Sequence, residues 1–328
     1  MNENFLALTC GDPAGVGPEL LLRALGEPPE ARGARLVAYA NEKLLRRVSA
    51  ASGVPFPRGV AAVCPGGAWP ETGHLIVDME CGADAVEPGR VSAACGAFAH
   101  ASICAAAADV MAGKASALVT APASKQAFHL AGVDFPGHTE LLAHMTGARD
   151  VRMMFWSPRL RLVLDSIHEP LRDVPRLLNR AHLAQTIRHA RAAGAVGVLA
   201  LNPHAGEGGL FGDEERGIIL PAVEDVRREG FHVEGPLVPD TAFCWLADPA
   251  QPAPFGAYVA LYHDQGLIPF KMAAFHDGVN VTLGLPIVRT SPDHGTAFDI
   301  AWQGRADPRS FFNAINVARL TGRGLSSP

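Results

Sequence analysis

The chain is 328 residues long, 48% hydrophobic and only 19% charged, with 34 glycines; this suits a compact folded protein of one or two α/β lobes, not a disordered or fibrous one. Its net charge of −5 and its lack of Lys/Arg blocks argue against nucleic acid as the main partner, so any cation that binds substrate must act locally. The six cysteines form no CxxC pair, which reads as reduced thiols in the cytosol and not as a disulfide or zinc–thiolate framework.

Strand-type apolar runs alternate with helical patterns along most of the chain, which predicts a largely parallel sheet covered by helices. The opening MNENFLALTCGDPAG lacks the basic and apolar regions of a secretory signal. Residues 5–9 read as a strand, followed by the loop GDPAGVG and a helix with Pro18 and Glu19 in its first turn. The loop does not complete G-x-G-x-x-G, because Leu20 holds the sixth position, and the strand at 35–40 leads to Asn41 and not to the acid that would hold a ribose. As a dinucleotide fingerprint it is weak.

Asn41, Ser92 and Ser124 are placed to cap helices, and 117–120 forms a strand. The second of these helices is Ala-rich; its run at 102–112 reads as too short and too polar to span a bilayer. The expectation is a cytoplasmic protein with no membrane partner. After Gly137, His138 and Thr139 open the helix HTELLAHM, where hydroxyl, imidazole and free N–H groups make an anion seat. Taken alone, that turn reads more plainly as a Thr cap with His138 facing water.

Residues 151–156 and 161–166 read as adjacent strands, 175–193 as a helix, 196–201 as a strand, and 213–229 as a helix that Pro221 must kink or interrupt. A strand at 258–262 precedes the buried-strand runs VNVTLGLP and IVRTSP, and 296–303 and 308–320 read as closing helices.

Of the thirteen histidines, His168, His204 and His263 each follow a strand-like run and precede a Pro or Gly turn. Such positions are where a rigid scaffold presents ligands, and three in the same position favour a shared metal over three unrelated loop contacts. An imidazole set points to zinc before magnesium. Asp240 and Asp264 can orient such ligands, though a capping Asp is an equal reading of Asp264. Lys271, Asn280 and Arg289 supply two cations and an amide for an anionic substrate. His182 and His189 read as solvated-face residues, and His74 has no polar company in sequence.

The segments GDPAGVGPE, FPGHTE, LNPHAGEGG, YHDQGLIPFK and GVNVTLGLPIVRTSPDHGTAFDIA resemble the 4-hydroxythreonine-4-phosphate dehydrogenase family, in order and over nearly the whole chain. The piece DHGTAFDIA is similar to the cofactor loop of the wider isocitrate and isopropylmalate dehydrogenase superfamily. The resemblance implies a two-lobed α/β/α fold with a largely parallel mixed sheet. One domain would comprise 1–130 plus 286–328, the other 131–285, with the active site between them. It implies a homodimer that uses NAD, with NADP as the alternative, and a divalent metal, zinc first, then cobalt or magnesium. The reaction would be oxidation of 4-phosphooxy-L-threonine at C3 and decarboxylation to 3-amino-2-oxopropyl phosphate, in vitamin B6 biosynthesis.

By the same resemblance, His168, His204 and His263 would hold the metal, with ligands shared across the dimer. His138, Thr139, Lys271, Asn280 and Arg289 would contact substrate, and Asp293, His294, Gly295, Thr296 and Ala297 the cofactor. Lys271, Asp240, Asp264 or a metal-bound water would take the alcohol proton. Ser166 and Ile167 stand before His168 where the family often has Thr before the histidine. Competing readings are a relative acting on another phosphorylated hydroxy acid or a dihydrodiol, a metal-dependent phosphatase or lyase, and a non-catalytic binding protein.

Overall fold

The computed structural model describes residues 5–321. The chain forms two compact units, one within Met1–Val151 and Leu285–Gly324, the other within Arg152–Gly284. In the first, the strands β1 (Phe5–Thr9), β2 (Arg35–Ala40), β3 (Ala61–Val63), β4 (Leu75–Asp78), β5 (Ala117–Thr120) and β12 (Arg289–Pro292) stand in the order β3-β4-β2-β1-β5-β12. All of these neighbours pair in parallel. In the second, β6 (Arg152–Trp156), β7 (Arg161–Leu164), β8 (Val196–Leu199), β9 (Val233–Leu237), β10 (Ala257–Ala260) and β11 (Val279–Leu283) stand in the order β11-β6-β7-β10-β8-β9. There β6 pairs antiparallel with β11 and β7, and the rest is parallel.

Parallel strands covered by helices are buried on both faces, as the all-buried β1, β5, β8 and β10 are. The first core packs Phe5, Val37, Tyr39 and Leu118 against Ile103, Phe128 and Leu142. The second packs Leu162, Leu199 and Tyr258 against Trp245, Leu267 and Phe270. Asn41, Ser92 and Ser124 each cap their helix by accepting a backbone N–H three residues on.

Several expectations change. The first crossing between units lies after Val151 and not after residue 130, because Leu141 and Leu142 of the helix His138–Thr146 join the first core. The Ala-rich helix runs Ala93–Met111, long and apolar enough by length and composition to cross a membrane. It is nevertheless a core helix, with Ala99, Ile103, Ala106 and Ala107 buried in the first unit. The predicted helix at 175–193 breaks at Leu178, which is extended, and Asn179 caps the following Arg180–Ala190. Pro221 enters at the start of Leu220–Arg228, after a wide turn at Glu215–Ile219. No helix forms at 296–303: Ala297 (φ 43°) and Trp302 (φ 61°) are left-handed and leave only the turn Phe298–Ile300 between them.

Candidate functional site

In the second unit, β7, β10, β8 and β9 are successive parallel neighbours, so their carboxyl ends lie along one side of the sheet. His168 follows β7, His263 follows β10, His204 follows β8 and Asp240 follows β9. Ligands of open α/β sheets bind outside the carboxyl ends of strands. The loops are laced together: the Ser166 hydroxyl donates to the Leu261 carbonyl at 2.7 Å. The Gln265 side chain accepts from the Leu261 N–H and donates to the Ala200 carbonyl, both at 2.7 Å.

His168 and His263 meet, with ring centroids 5.8 Å apart. His263 opens the helix His263–Ala274, and its Nδ1 lies 2.7 Å from Oδ1 of Asp264. A carboxylate on one ring nitrogen favours the tautomer that leaves the other free to act as a ligand. His204 sits in a left-handed turn, with φ of 51° at His204, 53° at Ala205, 79° at Gly206, 43° at Glu207 and 68° at Gly208. Buried Glu215 braces this turn: Oε1 accepts from the N–H groups of Leu201 and Asn202 at 2.9 and 2.7 Å, and Oε2 accepts from the Asn202 amide at 2.9 Å. Among the described residues, no three His, Cys, Asp or Glu side chains of one chain are grouped to hold a metal. One chain thus brings two of the three expected imidazoles together and not the third. Asp240 is exposed in the first turn of Pro239–Ala242.

Two features of this region were not legible in the sequence. Buried Asp165 receives the Thr186 hydroxyl at 2.6 Å and lies 3.1 Å from Nδ1 of His182, while the same hydroxyl accepts from Arg152 Nε at 2.8 Å. His182 is therefore not simply a solvated-face residue. A cavity of about 420 Å³ beside it is lined by Asp165, His168, Glu169, Leu178, Asn179 and His182, among others. Lys271 is half-buried on the helix His263–Ala274, with Nζ 5.8 Å from the Phe275 ring centroid. Asn280 lies in β11, its Oδ1 enclosed without a hydrogen-bond partner.

In the first unit the chain moves outward from β1 through β2 to the edge strand β3, fills in with β4 between β2 and β3, then crosses to β5 on the other side of β1. This is the reversal of strand order where ligand crevices open. The carboxyl ends of β1, β5 and β12 lead into the glycine loop, into Ala121–Pro122, and into Asp293–His294. Arg289 begins β12, is 5% exposed, and donates from Nε and Nη2 to the Thr120 hydroxyl at 3.1 and 2.7 Å. Burial pulls its guanidinium down to about 10, against the opposing charge of Glu140, so it stays a cation at neutral pH.

His138 is half-buried, but its Nε2 is enclosed without a partner. Burial, and then the charge of Arg289, push its imidazole down to about 3, so it is neutral across the physiological range. Thr139 follows it as the second residue of the helix His138–Thr146. A buried cation, an enclosed imidazole and a helix N-terminus are each groups able to bind an anion. Buried Asp12 accepts the Ala14 N–H on Oδ1 at 3.0 Å, while its Oδ2 and the Thr9 hydroxyl are enclosed without partners.

Orphaned buried polar atoms call for a partner from outside the chain. Thr9 and Asp12, at the reversal of strand order, are such groups. The His168–His263 pair, with its orienting carboxylate, fits a transition metal as two of its ligands.

The family profile described as pyridoxal phosphate biosynthetic protein PdxA matches residues 33–318. The chain is 42% identical to 4-hydroxythreonine-4-phosphate dehydrogenase of Geobacter metallireducens, over 98% of both chains. It is 40% identical to D-threonate 4-phosphate dehydrogenase of Salmonella typhimurium, over 97% of this chain and 99% of that one. Its fold matches the crystal structure of 4-hydroxythreonine-4-phosphate dehydrogenase from Klebsiella pneumoniae with a TM-score of 0.85 at 39% identity, over 96% of this chain and 97% of that one.

Proposed function

The chain belongs to the pyridoxal phosphate biosynthetic protein PdxA family, and from that membership we propose that it is a cytoplasmic, NAD-dependent and divalent-metal-dependent dehydrogenase of 4-phosphooxy-L-threonine. It oxidises C3, and the resulting β-keto acid loses CO2 to give 3-amino-2-oxopropyl phosphate for vitamin B6 synthesis. The observation that carries this reading is the buried Arg289 cation with the enclosed His138 nitrogen, a seat for an anionic substrate end.

Arg289, His138 and Thr139 bind one charged end of the substrate, and Lys271 and Asn280 hold a second, so that C3 is fixed in one orientation. Removal of the C3 hydrogen as hydride must be matched by removal of the hydroxyl proton. Lys271 Nζ and the carboxylates of Asp240 and Asp264 are the chain's candidates to take that proton. Asp293, His294, Gly295, Thr296 and Ala297 would hold NAD, with NADP as the alternative, which would supply the hydride acceptor. His168, His204 and His263 would hold a divalent ion, zinc before cobalt or magnesium, which would supply Lewis acidity. Loss of CO2 leaves C2 to be reprotonated, and a group that took the alcohol proton can return one there.

The homodimer expected of this family is supported by an apolar stripe on the helix His263–Ala274 and the residue after it, where Ile268, Met272 and Phe275 are 60%, 84% and 69% exposed. Spacings of four and three place them on one face, beside His263 and Lys271 in sequence. An interface there would complete a ligand set that one chain leaves at two.

A second reading has an observation of its own: relatives named D-threonate 4-phosphate dehydrogenase match at 40% and 42% identity over 97% and 96% of this chain. That acid carries a hydroxyl at C2 in place of the amine, and the same steps would yield dihydroxyacetone phosphate. The test is purified protein with each acid, NAD or NADP, and zinc, cobalt or magnesium, followed by the absorbance of reduced nicotinamide. Turnover that needs 4-phosphooxy-L-threonine and a divalent ion, and that a chelator abolishes, is expected. A kcat/KM larger by orders of magnitude for the threonate phosphate would reassign the substrate, and phosphate release without reduced nicotinamide would replace the dehydrogenase by a phosphatase or lyase.

A further inference from the structure

The glycines of GDPAGVGPE are needed for packing against the chain itself. A Cβ at Gly11 would lie 2.3 Å from the Pro122 carbonyl oxygen, one at Gly17 2.1 Å from that of Cys10, and one at Gly15 2.8 Å from that of Thr296. The last one, with the Val16 N–H donating to the Thr296 carbonyl at 3.0 Å, seats the loop directly on the segment that begins at Asp293.

That segment carries strained backbone. Ala297 and Trp302 are left-handed non-glycine residues at φ 43° and 61°, a conformation that persists only where surrounding structure imposes it. The imposing contacts come from 13–19. The Trp302 Nε1–H donates to the Pro13 carbonyl at 3.1 Å. Glu19, 0% exposed, accepts the Ala306 N–H on Oε1 at 3.0 Å and the Gly304 N–H on Oε2 at 3.1 Å. Arg23 closes the bracket: its Nη2 donates to the Gly304 carbonyl at 2.8 Å and lies 3.3 Å from Glu19 Oε1. From a third side, the Gly89 N–H donates to the Ala14 carbonyl at 2.8 Å, and a Cβ at Gly89 would lie 2.8 Å from the Phe298 carbonyl oxygen.

We propose that GDPAGVGPE acts as the seat of the 296–306 segment, with Glu19 the positioning residue that sets dinucleotide affinity without touching the dinucleotide. A buried carboxylate that accepts two backbone N–H groups and an arginine is left with unmet acceptors if those donors move, so the segment and Glu19 hold each other. The inference rests on the reading of Asp293–Ala297 as dinucleotide-binding.

Glu19→Gln keeps the shape but sets an amide NH2 against one of the two N–H donors. Gly15→Ala pushes on Thr296 from the other end and leaves Glu19 intact. For each folded variant, calorimetry measures the Kd of NAD and NADP, and separately of 4-phosphooxy-L-threonine without dinucleotide. Hydrogen exchange reads the Gly304 and Ala306 amides with no ligand present. Expected are dinucleotide binding weakened about 10-fold or more, equivalent to ~1.4 kcal/mol, substrate binding within about 2-fold, and faster exchange at Gly304 and Ala306 in Glu19→Gln. Dinucleotide affinity unchanged in both variants, or equal losses for both ligands, overturns the proposal. Wild-type protein that binds no dinucleotide overturns the dehydrogenase reading itself; exchange at the two amides then still reports whether Glu19 holds the segment.

Discussion

Asp12 is a buried carboxyl in the glycine loop, and burial raises it to about 6 against the opposing pull of the Ala14 N–H. Between its ordinary value of 3.8 and that raised value, the folded chain binds more protons than the unfolded one. Its contribution is therefore fully favourable below the ordinary value and is lost as pH climbs through about 6. Asp12→Asn retains an oxygen for the Ala14 N–H and removes the charge. The variant should gain stability relative to wild type as pH rises from about 4 to about 7, by on the order of 2 kcal/mol. Urea unfolding at those two pH values checks this; a difference that does not change with pH removes the assigned cause. His138 has the opposite dependence. Its depressed imidazole makes the unfolded state the better proton binder from about 3 to the ordinary 6.5, so its contribution is complete above that range and lost as pH falls through it. Neither environment could be read from sequence, because both depend on what encloses the side chain. His74 shows the same limit from the other side: it has no polar company in sequence, yet Nδ1 accepts the Leu36 N–H at 3.0 Å and Nε2 meets the Glu27 carbonyl at 2.8 Å.

The left-handed turn that carries His204 stores strain at its non-glycine positions, and Glu215 beneath it is the counterweight. Gly206 lies at φ 79° with Glu215 Oε2 2.8 Å from where a Cβ would stand. Gly206→Ala should cost roughly 1–2 kcal/mol from the backbone alone, seen as a lower denaturant midpoint at unchanged slope. A midpoint equal to wild type would show that the turn is not held as described. The elements legible in sequence were those with unbroken β-type runs or side-chain caps: β1, β2 and β5 at their read limits, and the helices behind Asn41, Ser92 and Ser124. Those missed are brief or carry residues that disfavour the element. β9 includes Pro236, β3 and β4 are brief and lie among Gly and Pro turns, and the helix His263–Ala274 contains Gly266 and Pro269. Tertiary packing decides these, as it does the meeting of His168 with His263 and the separate placement of His204. Glu19 was readable only as an acid near a helix start, since the two backbone N–H groups it accepts lie more than 280 residues away, at |i−j| of 285 and 287.

At the scale of the molecule, the exposed apolar stripe lies entirely in the second unit. Met272→Glu places a charge on its most exposed member, where the isolated chain should lose no more than about 0.5 kcal/mol. The expected outcome is a shift from dimer to monomer in sedimentation velocity, with loss of turnover; a dimer of unchanged stability would place the interface elsewhere. The order of synthesis follows from how the units are threaded. The second is one uninterrupted stretch of chain, whereas the first needs β12 and the helix Arg309–Thr321 from the far end of the polypeptide. While the ribosome is still reading the middle of the message, β5 has no strand on its β12 side and Thr120 awaits the guanidinium of Arg289. The half translated first is therefore the half completed last, and its raw sheet edge must be kept from other nascent chains until residues 289–321 emerge.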